Sequence, residues 1–228
     1  MNNKIVTVFG GSGFIGRHLV QRLAAGGAIV RVAVRDPEDA RYLKLMGDVG
    51  AVVPVAADIT DVDTTRAAVA GADWVVNLVG RLAGNEATFQ KLHVGGAANL
   101  AKLASEAGVR NFAHISALGA DAASPSNYAR SKAEGEAAVL AAFPGAVILR
   151  PSVIIGPEDK FFNLFAGLAR FTWFLPVLGG PAIPSLEFFK DGAPLVIDFY
   201  GDGGTRFQPV YVGDVADCIV AALAGGEG

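Results

Sequence analysis

The chain has 228 residues, a formal net charge of −3 and a single cysteine, Cys218. Weak acidity without a basic block excludes nucleic acid as a partner, and one cysteine excludes an internal disulfide and fits a reducing compartment. Hydrophobic residues make up 52%, enough for a single α/β domain with strands buried on both sides, and His18, His93 and His114 show no metal-ligand spacing, so no metal is expected.

The first element is the apolar run Ile5-Val6-Thr7-Val8-Phe9, which enters Gly10-Gly11-Ser12-Gly13-Phe14-Ile15-Gly16 directly. A strand that ends in closely spaced glycines and runs into a helix brings backbone N–H groups and a positive helix end against a pyrophosphate, where side chains would block the approach. Phe14, Ile15, Leu19, Val20 and Leu23 recur at helical intervals and supply that helix. The glycines parse either as Gly11-x-Gly13-x-x-Gly16 or as Gly10-x-x-Gly13-x-x-Gly16, and glycines alone do not decide between them. No charged region, apolar stretch and cleavage site precede the strand, so no signal peptide is expected and the cytoplasm is the default location.

A second strand over 29–34 leads into Arg35-Asp36. Dinucleotide folds that prefer NAD carry an acid about 20 residues beyond the glycines for the ribose 2′-OH. Arg35 at that place would pair with a 2′-phosphate and stack on adenine, which favours NADP(H). Asp36, one residue on, would put a carboxylate at the ribose and keeps NAD(H) open.

Further strands are expected at 51–55, 74–78, 111–115 and 146–149, alternating with helices of which 89–107 and 128–142 are the clearest. That alternation predicts a Rossmann-like, doubly wound parallel sheet, an α/β fold with helices on both faces. Asp58, after the third strand, has a bland reading as a helix cap. On the 128–142 helix, Tyr128 and Lys132 are four residues apart and share a face, so the ammonium is expected to lower the phenol pKa from about 10. After Pro151 the alternation stops and glycine and proline become frequent, which divides the chain into 1–150, a dinucleotide-binding domain, and 151–228, a partial cap on the substrate side that is not an independent domain. Phe161, Phe162, Phe165, Phe171, Trp173, Phe174 and Leu175 cluster there. The run is too short to span a bilayer; it is expected to pack over the substrate cleft or, alternatively, to offer an exposed patch to a membrane surface or a partner subunit.

Taken together, these residues resemble the extended and atypical short-chain dehydrogenase/reductases, also described as the NAD-dependent epimerase/dehydratase family, whose relatives use the wider of the two glycine spacings. Within it, the likeness is strongest to bacterial relatives of the nucleotide-binding accessory subunit of respiratory complex I. It rests on Thr7 to Arg17, Asn77-Leu78-Val79-Gly80, His93-Val94-x-Gly96, Leu149-Arg150-Pro151-Ser152-Val153-Ile154-Ile155-Gly156-Pro157-Glu158-Asp159 and Pro209-Val210-Tyr211-Val212-x-Asp214-Val215-Ala216, in this order.

The resemblance implies that Gly10, Ser12, Gly13, Phe14, Ile15 and Gly16 hold the pyrophosphate, Asp58 and Ile59 contact adenine, and Asn77, Leu78, Val79 and Gly80 lie under the ribose and phosphates. It further implies that Pro151 and Val153 pass beside the nicotinamide, that Lys132 binds its ribose, and that Tyr128 is the acid/base. Ser116 stands where active members place a substrate-anchoring hydroxyl; it reads equally as a residue satisfying the strand end. Leu118 occupies the place many extended members give to that hydroxyl, and leucine donates no hydrogen bond. His93 stands where active members often have Asn, which breaks the usual proton-relay pattern, and its bland reading is a helix histidine packed against the sheet.

Two functions follow. One is an NAD(P)-dependent oxidoreductase or sugar-nucleotide-epimerase-like enzyme acting on a small molecule through Tyr128, Lys132 and Ser116. The other is a non-catalytic NADP(H)-binding accessory subunit or sensor, linked to respiratory complex I or ubiquinone metabolism and peripheral to the inner membrane. Resembling proteins continue past residue 228 through a further substrate-side segment, leaving a short member and a cut chain both open.

Overall fold

The computed structural model describes residues 1–159, 163, 167, 185–187, 196–198 and 208–225. Six strands form one parallel sheet: β1 (Ile5–Phe9), β2 (Ile29–Val34), β3 (Val52–Ala56), β4 (Trp74–Asn77), β5 (Asn111–Ile115) and β6 (Val147–Leu149), in the spatial order β3-β2-β1-β4-β5-β6. The chain leaves β1 toward β2 on one side and returns to β4 on the other, so strand order reverses between β1 and β4, with Phe9 level with Ala33 and Asn77. A reversal of this kind opens a crevice at the carboxyl ends of the strands.

Both faces of the sheet are covered, and the alternation of side chains along each strand assigns residues to them. Val6, Val8, Val30, Val32, Trp74 and Val76 face a core closed by Leu19, Val20 and Leu23 of α1 (Phe14–Ala25). Phe9, Ala33, Val75 and Phe112 face a second core with Val69 of α2 (Val62–Val69), Leu100 and Leu103 of α4 (Ala97–Glu106) and Val139 of α5 (Asn127–Ala142). Thr7, buried among apolar groups on this second face, donates its hydroxyl to Ala68 O at 3.0 Å.

The expected strands are all present, with ends shifted by no more than one residue. The expected 89–107 helix is a composite. A short α3 (Glu86–Phe89), capped by the Asn85 side chain, passes into a π-helical turn over Gln90–Gly96 and then into α4. Glycine at 96 admits Ile59, whose Cγ2 would lie 2.9 Å from a Cβ there.

Two compact units divide the chain: Met1–Gly156 with the stretch from Val210 onward, and Pro157–Pro209. Ile154–Ile155 (β7) pairs in parallel with Val210–Tyr211 (β10), and α6 (Val212–Gly225) sends Val215, Ala216, Ile219 and Leu223 into the α1 core. In the second unit, β8 (Ser185–Glu187) and β9 (Val196–Asp198) pair antiparallel. The aromatic cluster at Phe161, Phe162, Phe165, Phe171, Trp173, Phe174 and Leu175 lies outside the described residues. Among the described residues no helix is long and apolar enough to cross a membrane.

Candidate functional site

At the end of β1 the site is made of backbone. Gly10 has φ +78°, in the left-handed region, and a Cβ on it would press on the Leu78 carbonyl and Val79 N at 3.2–3.3 Å. Gly16 is under the tightest constraint: a Cβ would stand 2.5 Å from Gly10 O and from Gly11 Cα and O. Gly11 is pressed by Val32 in the same way. Gly13 is exposed, and its Cβ would meet only Gly10 O, at 3.2 Å. The wider glycine spacing therefore separates two tasks: Gly10 and Gly16 let the loop close on β4 and α1, and Gly13 keeps its mouth clear. Gly13 caps α1 without a side-chain hydrogen bond, and the first turn carries no acid, leaving a positive helix end suited to a phosphate. Tyr42, from a 3₁₀ helix over Pro37–Met46, donates its hydroxyl to Ser12 O at 3.0 Å, and the Arg17 guanidinium lies 5.6 Å from its ring centroid. Phe14 and Ile15 are half-buried, Phe14 edge-on to His18.

Beyond β2 and β3 an open cleft of about 450 Å³ is lined by Arg35, Ala56, Ala57, Asp58, Thr60, Asp61 and Thr64. The two residues that competed for the ribose are separated here. Asp36 turns away, its carboxylate accepting Glu38 N at 2.9 Å as the cap of the 3₁₀ helix, while the exposed Arg35 lines the cleft. Asp58 does not cap α2; Asp61 does, accepting Thr64 N at 2.8 Å. Asp58 instead accepts both the amide and the hydroxyl of Thr60 at 2.8 Å, and the amide bond first of all holds its carboxyl below the usual range. Ile59 is 3% exposed, so its side chain belongs to the core, and its carbonyl accepts Asn99 Nδ2.

At the ends of β4 and β5 the site is made of side chains. Asn77 is buried and fully used: Oδ1 accepts Val79 N and Nδ2 faces His114 Nδ1, both at 3.0 Å. Asn77 thus shapes the loop while Gly80 takes the exposed position; Leu78 and Val79 pack into the two cores. A Cβ on Gly80 would lie 3.9 Å from Lys132 Nζ and 3.7 Å from His93 Nε2. α5, capped by Ser126, brings Lys132 to this point and sets the Tyr128 ring against His93, centroids 5.7 Å apart. Lys132 Nζ donates to Ile115 O at 2.7 Å, and burial lowers its pKa from 10.5 to about 8 against the pull of Glu136. The phenol of Tyr128 moves opposite to expectation: burial raises its pKa, while the Lys132 ammonium is directed to the β5 carbonyl.

One neighbour of these side chains, Glu136, has no signal in the sequence. Glu136, buried one turn beyond Lys132, holds the Arg150 guanidinium through Nε at 2.8 Å and through Nη2. Burial pushes the Glu136 carboxyl up, and the bonds from Arg150 bring it down further, with a contribution from Ser116. Ser116 is 4% exposed, and its Oγ lies near the Glu136 carboxylate without a partner of good hydrogen-bond geometry. Leu118, by contrast, is 65% exposed. Pro151 and Val153 are half-buried, and their carbonyls accept Leu118 N and Val210 N, both at 3.0 Å. His93 is buried with both ring nitrogens engaged, and burial first, then Lys132, lowers its pKa from 6.5 to about 4. It packs on the Tyr128 ring and not merely on the sheet.

The sequence from residue 6 to residue 228 matches the family model described as NAD dependent epimerase/dehydratase family. The chain belongs to this family. Among epimerase/dehydratase relatives, it is 42% identical over 222 residues to "NADH dehydrogenase [ubiquinone] 1 alpha subcomplex subunit 9, mitochondrial" of Arabidopsis thaliana, covering 96% of this chain and 50% of that one. It is also 37% identical over 203 residues to a "Ceramide reductase" of Caulobacter vibrioides, covering 86% of this chain and 60% of that one. The chain spans about half the length of the first of these. The fold is shared with the Bordetella bronchiseptica enzyme WbmG, solved in complex with NAD, at TM-score 0.70 and 16% identity over 97% of this chain and 69% of that one.

Proposed function

We propose that this member of the family binds NADP(H) across the carboxyl edge of its sheet and supports hydride chemistry on a small carbonyl or carbinol compound, with Tyr128 as acid/base. The observation that carries the reading is the line from the uncapped, acid-free start of α1 through Gly10 and Leu78 to Gly80, where two titratable side chains of α5 and the π turn converge on the space a Cβ would fill. The polar groups fit the cofactor: backbone amides and a helix end donate to the pyrophosphate, Arg35 to a 2′-phosphate and Lys132 to ribose hydroxyls, while the Asp58 carboxylate accepts from an adenine amino group. NADP(H) is favoured over NAD(H) because Arg35 faces the cleft and the Asp36 carboxylate does not.

A bound nicotinamide would supply or accept the hydride. The Tyr128 phenol, kept protonated by burial, gives a proton to the substrate oxygen in the reducing direction. Lys132 orients the ribose and remains a cation below pH about 8. Ser116 is the remaining proposed catalytic residue, as a substrate anchor.

A second reading has its own support. Ser116 stays buried beside Glu136, and the more exposed Leu118 offers no donor, so the site holds a dinucleotide better than it anchors a substrate oxygen. That reading is a cofactor-holding subunit at a respiratory or quinone-linked assembly, peripheral to a membrane, to which the plant relative's name points. NADPH absorbance during exposure to a panel of carbonyl and quinone compounds separates the two. Turnover that Tyr128→Phe lowers by roughly 100-fold or more supports the enzyme, in line with general acid–base contributions. Tight binding without turnover supports the subunit.

A further inference from the structure

We infer that His93 is a positioning residue: a neutral imidazole with its proton on Nδ1 that ties the loop after β4 to α5, sets Tyr128 beside itself and Lys132 over Gly80, and passes no proton itself. The placing of the nicotinamide end at Tyr128 and Lys132 rests on the function proposed above; the state of His93 does not.

Hydrogen-bond donors fix the tautomer. The partner of Nε2 is the Arg81 backbone N–H at 3.0 Å, a group that only donates, so Nε2 is bare. The partner of Nδ1 is Ser131 Oγ at 2.9 Å, and Ser131 gives its single proton to Tyr128 O at 2.8 Å. Ser131 must then accept, and Nδ1 carries the hydrogen. Both nitrogens are thus consumed by fixed partners on different elements. A relay needs a nitrogen able to exchange a proton with Lys132 or water, and here neither is available.

Packing supports the same role. The imidazole stacks on Phe89 with centroids 5.1 Å apart and planes 21° apart, and meets the Tyr128 ring edge-on at 5.7 Å and 85°. Among the described residues, the titratable groups that act on it are Tyr128 and Lys132 on α5 and His114 on β5, a set without a carboxylate to stabilise a second proton. The π turn presents the carbonyl of the same residue to α5, where a Cβ on Gly135 would stand 2.2 Å from His93 O. Ser131 and Gly135 lie four apart on one helical face, so ring and carbonyl of one residue clasp α5 on that face. π turns concentrate at functional sites, and here the widened turn lets side chain and carbonyl act together.

The test is imidazole ¹⁵N NMR of the labelled chain from pH 5.5 to 8, with and without NADPH. The inference predicts a bare Nε2, a protonated Nδ1 and no titration of His93 in that range. An Nε2–H tautomer, or a titration inside it, overturns the inference. Two variants then probe positioning by calorimetric NADPH affinity. His93→Gln keeps one donor and one acceptor but loses the ring, whereas His93→Phe keeps the ring and strands the Arg81 amide. Bridging predicts that Phe weakens NADPH about tenfold and Gln no more than about threefold, the loss of the part-buried Arg81 amide's partner, which frees the loop from α5, setting the difference. Equal losses, or a Phe variant that binds as tightly as wild type, overturn it. A wild-type chain that binds neither NADPH nor NADH sinks the proposed function instead and leaves the tautomer to be judged by NMR alone.

Discussion

The two ends of the site are built from different material. At the β1 end, glycines at 10, 11, 13 and 16 let backbone approach backbone, and the groups offered to a dinucleotide under the proposed function are main-chain amides at a helix start. At the β4 and β5 ends, the same task falls to side chains that bond across 37 or 38 residues of sequence: Asn77 to His114 and His93 to Ser131. A backbone-built end fails when a side chain is added. A side-chain-built end fails when a partner is removed, and it carries pH dependence that the other end lacks.

The largest expected effect lies at the backbone end. Gly13→Val should lower NADPH affinity by roughly 100-fold or more, about 2.7 kcal/mol, through blocked approach. Because its Cβ meets only Gly10 O, the thermal midpoint should hardly change. Unfolding of the variant would mean that Gly13, like Gly16, serves packing, and the division of tasks within the loop would be lost.

Next comes the side-chain end. Lys132→Met should cost about tenfold in NADPH affinity, the worth of charged hydrogen bonds, and it should also change the pH profile. With the Lys132 pKa near 8, wild-type affinity should be level below that pH and fall as pH rises through it, as the ammonium loses its charge. The variant should show no such fall. A fall that persists in Lys132→Met would assign it elsewhere.

Cofactor choice gives a more selective effect. Arg35→Ala should weaken NADPH about tenfold, as loss of a charged contact does, and leave NADH unchanged, whereas Asp36→Ala should affect the 3₁₀ helix and neither nucleotide. Equal weakening of both nucleotides by Arg35→Ala would remove the 2′-phosphate assignment.

The remaining effect is on stability and not on affinity. His93 and His114 are held neutral, with pKa values lowered to about 4 and about 3 chiefly by burial, while both titrate near 6.5 once unfolded. In that window the unfolded chain binds protons that the folded chain does not, so stability present above pH 6.5 falls as pH drops through it. Thermal midpoints from pH 7 to 5 should fall by several degrees. In His93→Gln, which removes one of the two rings, the fall should be smaller.

The same contrast explains what the sequence could show. Strands alternate their side chains between two cores, and a glycine loop after a strand has few other uses, so the sheet and the presence of a tight glycine loop after β1 were legible in the sequence. Arg35 and Asp36 were ambiguous because a one-residue register decides which faces the cleft, and only the cap made by Asp36 resolves it. The lowering of the Tyr128 pKa was expected from helical spacing alone. Spacing puts Lys132 nearby but does not show that Ile115 O claims its ammonium or that burial dominates the phenol. The Glu136–Arg150 pair and the role of His93 arise from packing between distant segments. One local sign was available: Gly135 inside an otherwise alanine-rich helix is costly, and it marks the close approach of the π turn.

The central claim is that both ends hold one dinucleotide with its 2′-phosphate at Arg35. Calorimetric titration of the chain with NADPH and NADH side by side tests it most directly. One site per chain, with NADPH bound about tenfold or more tighter than NADH, is the predicted result. Equal affinity, or no binding of either nucleotide, would contradict it.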